Sequence, residues 1–221
     1  RRAGRLIGQS GQTVGSAEIL ATPRSSTCWK TAMLAPVRTV APASMPVSLA
    51  EAKAHLRVDH DDQDNLITAQ IKAATAYLDG WSGILGRALI TQTWRQEFGR
   101  FADHLPLPLA PVTAIDSVSY FDAGNVQQTL DAGVYDLFAD ARGAYVTRRS
   151  GQSWPATFRR ADAISIIFTA GYGAAADVPE PIRQALLLIV QRLFDGADTS
   201  IDVAIDRTVH ALIAPYRKSL I

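Results

Sequence analysis

Gly171, Tyr172 and Gly173, followed by Ala176, have the most definite chemical spacing in this chain. They fit a GxGxxA fingerprint, in which the glycines let the backbone approach a pyrophosphate and the following helix aims its first amides at the charge. The chemistry served would be nucleotide binding in a small soluble enzyme. Pro179 and Pro181 oppose it. They would fall in the second turn of that helix, where proline removes a hydrogen bond and clashes with the preceding turn. The repeated strand–helix–strand rhythm of a nucleotide-binding domain is also missing. A glycine turn closing a strand is the better reading.

A second cluster, Asp59, His60, Asp61, Asp62 and Asp64, suggests calcium. A calcium loop of the EF-hand type needs glycine at its sixth position and glutamate at its twelfth, where Asp64 and Gln70 stand. Acidic residues before a helix complement its dipole, and that role suffices. His55, His60, His104 and His210 show no metal-ligand spacing, and Cys28 is the only cysteine. One thiol excludes an internal disulfide and fits a reducing cytoplasm. No Gly-x-Ser-x-Gly elbow occurs. Trp94, Trp154 and Tyr172 could stack on bases, but each sits in a strand pattern, where aromatics are normally core. The expectation is a protein without catalytic residues, cofactor or metal.

The elements around these residues have clear signatures. Ser48 and Glu51 form a capping box for a helix over 49–57. Ile67, Ile71, Ala74, Leu78 and Trp81 make an apolar stripe over 62–82, widened by Leu66, Ala73 and Tyr77 and ended by Gly83 and Gly86. Residues 88–173 change to a period of two: strands start near Ile90, at Val112–Phe121, Val126–Leu130, Val134–Phe138, Ala144–Thr147 and Ala163–Ala170, with turns between them. Pro181 opens a helix over 181–194, apolar nearly all round, and a last helix spans 203–213. The predicted fold class is α+β: about four bundled helices with an antiparallel β insert between the second and third. The longest apolar run, Ala185 to Val190, is too short to cross a membrane as a helix.

Charge divides the chain. Residues 1–45 carry six basic residues (Arg1, Arg2, Arg5, Arg24, Lys30 and Arg38) against Glu18 alone, whereas the rest carries 16 basic and 20 acidic residues. Such an arm points to nucleic acid or an acidic protein surface, and a DNA-binding factor using it is an alternative reading. It lacks sustained periodicity and precedes Met45, so it is expected to be disordered or ordered by a partner, and dispensable for folding. At the other end, 214–221 forms an apolar-aromatic tail. Leu212, Ile213, Pro215, Tyr216, Arg217, Leu220 and Ile221 are expected to dock on a partner. Ala69, Ala73 and Ala76 permit close helix approach, and Leu187 and Phe194 belong to the over-apolar helix; these five are candidates for a subunit interface.

Several segments, taken in order over 46–217, resemble the head–tail connector (adaptor) family of long-tailed phages and gene transfer agents. They are the run from Pro46 to Val58, the helix start at Asp61–Ile67, Gly86–Trp94, Leu105–Pro108, Tyr120–Asp122, Thr169–Gly173, Val178–Ala185 and Leu212–Arg217. The resemblance implies a non-enzymatic adaptor that forms a ring, a dodecamer, between the portal and the stopper or tail-terminator protein of a phage-like particle. DNA would pass through its lumen without specific binding. It also implies that the C-terminal segment grips the portal, that no membrane is involved, and that the ring sits in the particle neck after assembly in the bacterial cytoplasm.

Overall fold

The computed structural model describes residues 33–196 and 199–218. The arm residues Arg1, Arg2, Arg5, Glu18, Arg24, Cys28 and Lys30, and the terminal pair Leu220 and Ile221, lie outside the described residues. Four α-helices, α1 (Leu49–Leu56), α2 (Asp64–Leu78), α3 (Glu180–Asp195) and α4 (Thr199–Ile213), combine there with eight strands. The strands are β1 (Val37–Val40), β2 (Gln92–Phe98), β3 (Leu105–Pro106), β4 (Val112–Phe121), β5 (Gln127–Thr129), β6 (Tyr135–Asp140), β7 (Gly143–Arg148) and β8 (Ile164–Ala170). All their pairings are antiparallel, giving a five-stranded sheet in the order β1-β2-β8-β4-β5 and a three-stranded sheet in the order β3-β7-β6.

Local chemistry explains the helix ends. The Ser48 hydroxyl accepts from the Glu51 amide while the Glu51 carboxylate accepts from the Ser48 amide, so both halves of the capping box are made. Those bonds, with Arg183 across from it, hold the Glu51 carboxyl below its ordinary range. Helix α2 stops four residues earlier than its apolar stripe predicts. Asp79 turns extended and Gly80 takes φ +79°, because the Asp79 carboxylate turns away to accept from the Leu89 amide at 2.7 Å. Trp81 therefore leaves the helix and is 47% exposed instead of continuing the core stripe. Leu66, Ala73 and Tyr77, expected to widen the buried face, are exposed. Helix α4 starts four residues before the expected position.

Two cores result. Ile67, Ile71 and Leu78 of α2 pack with Ile182, Leu186 and Ile189 of α3 and with Val209 and Ile213 of α4. Trp94, Phe98, Val118, Ile164, Ile166 and Phe168 fill the second, between the two sheets, with Leu105 and Val146 from the smaller one. Strand β8 alternates buried and half-buried residues, as a strand with one face on a core must. On β2 the alternation puts Gln92 and Gln96 on the buried side with Trp94 and Phe98. Gln96 is buried although it is polar, and its amide donates to the Leu34 and Glu97 carbonyls.

Those bonds also correct the expectation that the whole chain up to residue 45 is disordered or ordered by a partner. From Met33 onward it is part of the sheet. Leu34 donates to the Glu97 carbonyl, Val37 and Arg38 pair with Arg95 and Trp94, and β1 becomes an edge strand. The sheet is thus not purely an insert between α2 and α3. A chain beginning at Met45 is expected to lose on the order of 1–2 kcal/mol, since edge-strand bonds contribute modestly and β1 side chains are exposed. A urea midpoint equal to that of a chain beginning at Thr31 would show that β1 adds nothing.

Candidate partner-binding surfaces

The C-terminal segment is pinned to the body. Pro215 ends α4, and a single 3₁₀ turn, Ala214–Tyr216, follows. Ile213 is fully buried, while Leu212 and Tyr216 pack on the helical core. Arg87 donates through Nε to the Tyr216 carbonyl, and the Lys218 amide donates to the Leu85 carbonyl at 3.1 Å. The Lys218 ammonium donates to the carbonyls of Leu107 (3.3 Å) and Pro108 (2.8 Å). Burial, and then the nearby Arg87 charge, push the Lys218 amine below its usual range. The segment expected to dock on a partner is thus joined to its own chain: of the docking candidates, Ile213 is spent on the core and Leu212 and Tyr216 are half-buried. Pro215 and Arg217 are exposed. Lys218, which clamps the segment to the loop after β3, was not singled out from the sequence, because its partners are backbone carbonyls more than a hundred positions away.

Of the interface candidates, Ala69, Ala73 and Ala76 lie exposed on one side of α2, with Leu66 and Tyr77 on the same face. Leu187 and Phe194 are half-buried against the helical core, so less of each remains for a neighbour.

A buried polar hub stands where α2, β1 and β2 meet. Asp79 accepts from the Leu89 amide and from the Gln92 side-chain amide at 3.1 and 3.2 Å, and Arg38 approaches it at 3.9 Å. Burial raises the Asp79 carboxyl above its ordinary range despite those donors. The hub could not be found by spacing, since Arg38, Asp79 and Gln92 belong to three separate elements.

The glycine turn does not build a phosphate cradle. The Gly171 and Tyr172 amides donate to the carbonyls of Pro111 and Leu89, and the Ala174 amide to the Asp177 carboxylate. The Gly173 carbonyl accepts from the Thr91 amide. A Cβ on Gly171 would lie 2.6 Å from the Ile90 backbone, so this glycine serves close strand packing. Among the described residues no group of three or more His, Cys, Asp or Glu could hold a metal, and no helix is long and apolar enough to cross a membrane. Of the base-stacking candidates, Trp94 is core, Trp154 stacks on Phe101 at 4.4 Å, and Tyr172 packs on the helical core.

Residues 46–120 match the family model of the phage gp6-like head-tail connector protein. No curated protein matches the chain by sequence. Among solved structures, a chain from the neck of an empty gene transfer agent particle, computed with C6 symmetry, superposes with a TM-score of 0.70 at 23% identity, over 85% of this chain and 97% of that one. A chain from the virion of a native gene transfer agent particle gives 0.68 at 25% identity, over 85% and 97%. One from the native neck, computed with C12 symmetry, gives 0.60 at 23%, over 82% and 96%.

Proposed function

We propose that this chain, which carries the head-tail connector pattern over residues 46–120, is a structural adaptor in the neck of a phage-like particle. One coincidence carries the reading: the family match and the fold match fall on the same chain, and the latter covers 97% of a protein found in a gene transfer agent virion. The adaptor works as a ring of identical subunits, a reading supported by the C6 and C12 symmetry of the similar necks. Twelve copies seated under a portal, with a stopper or tail terminator beneath and DNA passing through the lumen, fit a body with more acidic than basic residues after position 45. Dense Lys–phosphate contacts would hold a polyanion that has to slide. Such a protein needs no catalytic group, and its assembly in the bacterial cytoplasm fits its single thiol.

Exposed Ala69, Ala73 and Ala76 give α2 a face on which a neighbouring helix can lie close. Portal docking belongs to the end of the chain, to exposed Arg217 and to residues 219–221 past the Lys218 clamp, because Ile213 is committed to the core. Deleting residues 219–221 is expected to abolish co-sedimentation with portal rings while leaving the circular dichroism spectrum unchanged. Full binding by this folded, shortened chain would move the docking site elsewhere. For the adaptor reading itself, mass photometry and negative-stain imaging with portal rings should show a ring added beneath each portal. A chain that stays monomeric alone and with portal overturns it.

A further inference from the structure

The end of α2 is bordered by cavities. Exposed Trp81 lies between two of them: a polar one of about 230 Å³ against Arg38, Asp79, Ser82 and Trp94, and a more apolar groove of about 390 Å³ against Met33, Ile84, Pro106 and Lys218. A third, also about 390 Å³, runs from Arg38 and Asp79 past Lys72 to the segment 41–45.

Trp94, which lines the polar cavity, is only 6% exposed and has the Arg38 guanidinium over its ring, 5.9 Å from the centroid. Charge on this surface runs one way. Arg38, Lys72 and Lys218 line the cavities, and the one carboxylate among the lining residues, Asp79, already receives the Leu89 and Gln92 donors. The surface therefore suits a carboxylate-bearing segment that also covers an exposed tryptophan.

The chain carries such a segment itself, at the opposite end of the same helix. Asp59, His60, Asp61 and Asp62 are all exposed in the turn before α2, and the Asp62 side chain is 95% exposed. Fifteen residues of helix separate the two ends by about 22 Å, so the loop cannot reach its own Trp81 surface. We propose that in the assembled ring the 59–62 loop of one copy seats on the Trp81 surface of the next, with its carboxylates facing Arg38 and Lys72. This rests on the neck-ring reading above. The contact joins unlike surfaces of identical chains, the kind that closes into a ring when the rotation permits. Trp81 is its anchor, and the charges set its register.

Charge exchange on the full chain tests it, with ring yield read by mass photometry alone and on portal rings. Asp62→Lys and Lys72→Glu change exposed side chains, so circular dichroism should remain that of the wild type. Each alone should reduce ring yield tenfold or more, Trp81→Ala likewise, and the Asp62→Lys, Lys72→Glu double variant should recover most of it. Carbodiimide cross-links between isotopically light and heavy copies should join the 59–62 carboxylates to Lys72. Rings of normal yield from the single variants overturn the contact. Loss without recovery in the double variant also overturns it, assigning the surface to a different acidic partner or to the chain's own last residues. Wild-type chains that form no ring, alone or on portal, overturn the neck reading and this contact with it.

Discussion

Phe168→Ala is expected to cost about 3–5 kcal/mol. Phe168 is fully buried on β8, the middle strand of the five-stranded sheet, opposite Trp94 on β2 and Ile115 on β4. Its ring reaches between the two sheets, where no flexible surface segment can collapse into the space left behind. A loss of that size is a large share of the 5–15 kcal/mol typical of a folded domain, so the variant should express poorly and form no particles. Ile167→Ala, on the half-buried face of the same strand, should cost clearly less. Urea unfolding of both variants checks the pair, and a Phe168→Ala midpoint no lower than that of Ile167→Ala would mean that the second core is not where the stability lies.

Asp79→Ala should cost about 2–4 kcal/mol, because it strands the buried Leu89 amide and the Gln92 side chain without their acceptor. It would also release Arg38, and with it the attachment of β1 to the end of α2. Asp79→Asn behaves differently. The asparagine keeps one oxygen for the Leu89 amide and carries no charge into a buried site. The sign of its pH dependence follows from burial, which raises the Asp79 carboxyl in the folded protein above its ordinary 3.8. The folded state then holds its proton more tightly than the unfolded chain does. The contribution of this group is thus fully present below the unfolded value and is lost as pH rises from about 3.8 through the folded value. Glu51 has the opposite sign: its lowered carboxyl stabilises above the unfolded value, and that stability is lost on acidification. Asp79→Asn should therefore remove a downward slope of stability as pH rises above about 3.8, while matching the wild type in strong acid. An unchanged slope in the Asn variant would show that Asp79 ionises freely.

The hub also shows why the N-terminal boundary could not be read from composition. Residues 33–40 hold five apolar residues but show no period, and an edge strand needs none. Its hydrogen bonds are made by backbone to a partner more than fifty positions away, and only Arg38 and the carbonyl of Leu34 carry a specific message to Asp79, Gln92 and Gln96.

Local physics determined much of the chain by itself. The Ser48–Glu51 capping box, the Ile67, Ile71, Ala74 and Leu78 stripe, the β8 strand at Ile164–Ala170 and the helix opened by Pro181 are all set by contacts within a turn or two, or by an alternation that every strand with one buried face must show. The ordered motifs over 46–217 likewise pointed to the connector family, and the match over 46–120 falls within them. Tertiary structure alone decided where apolar residues were spent. Trp81 continues the helical period, yet it is exposed because Asp79 leaves the helix to bind Leu89. Ile213 and Tyr216 read as docking residues, yet Ile213 is buried as the last residue of α4 in the helical core, and Tyr216 is half-buried in a segment pinned by Lys218 to two carbonyls after β3. Periodicity records which residues share a face. Only the assembled chain fixes which distant donors and acceptors meet, and a buried polar group that must find its partner can end a helix or tie down a terminus against the apolar pattern.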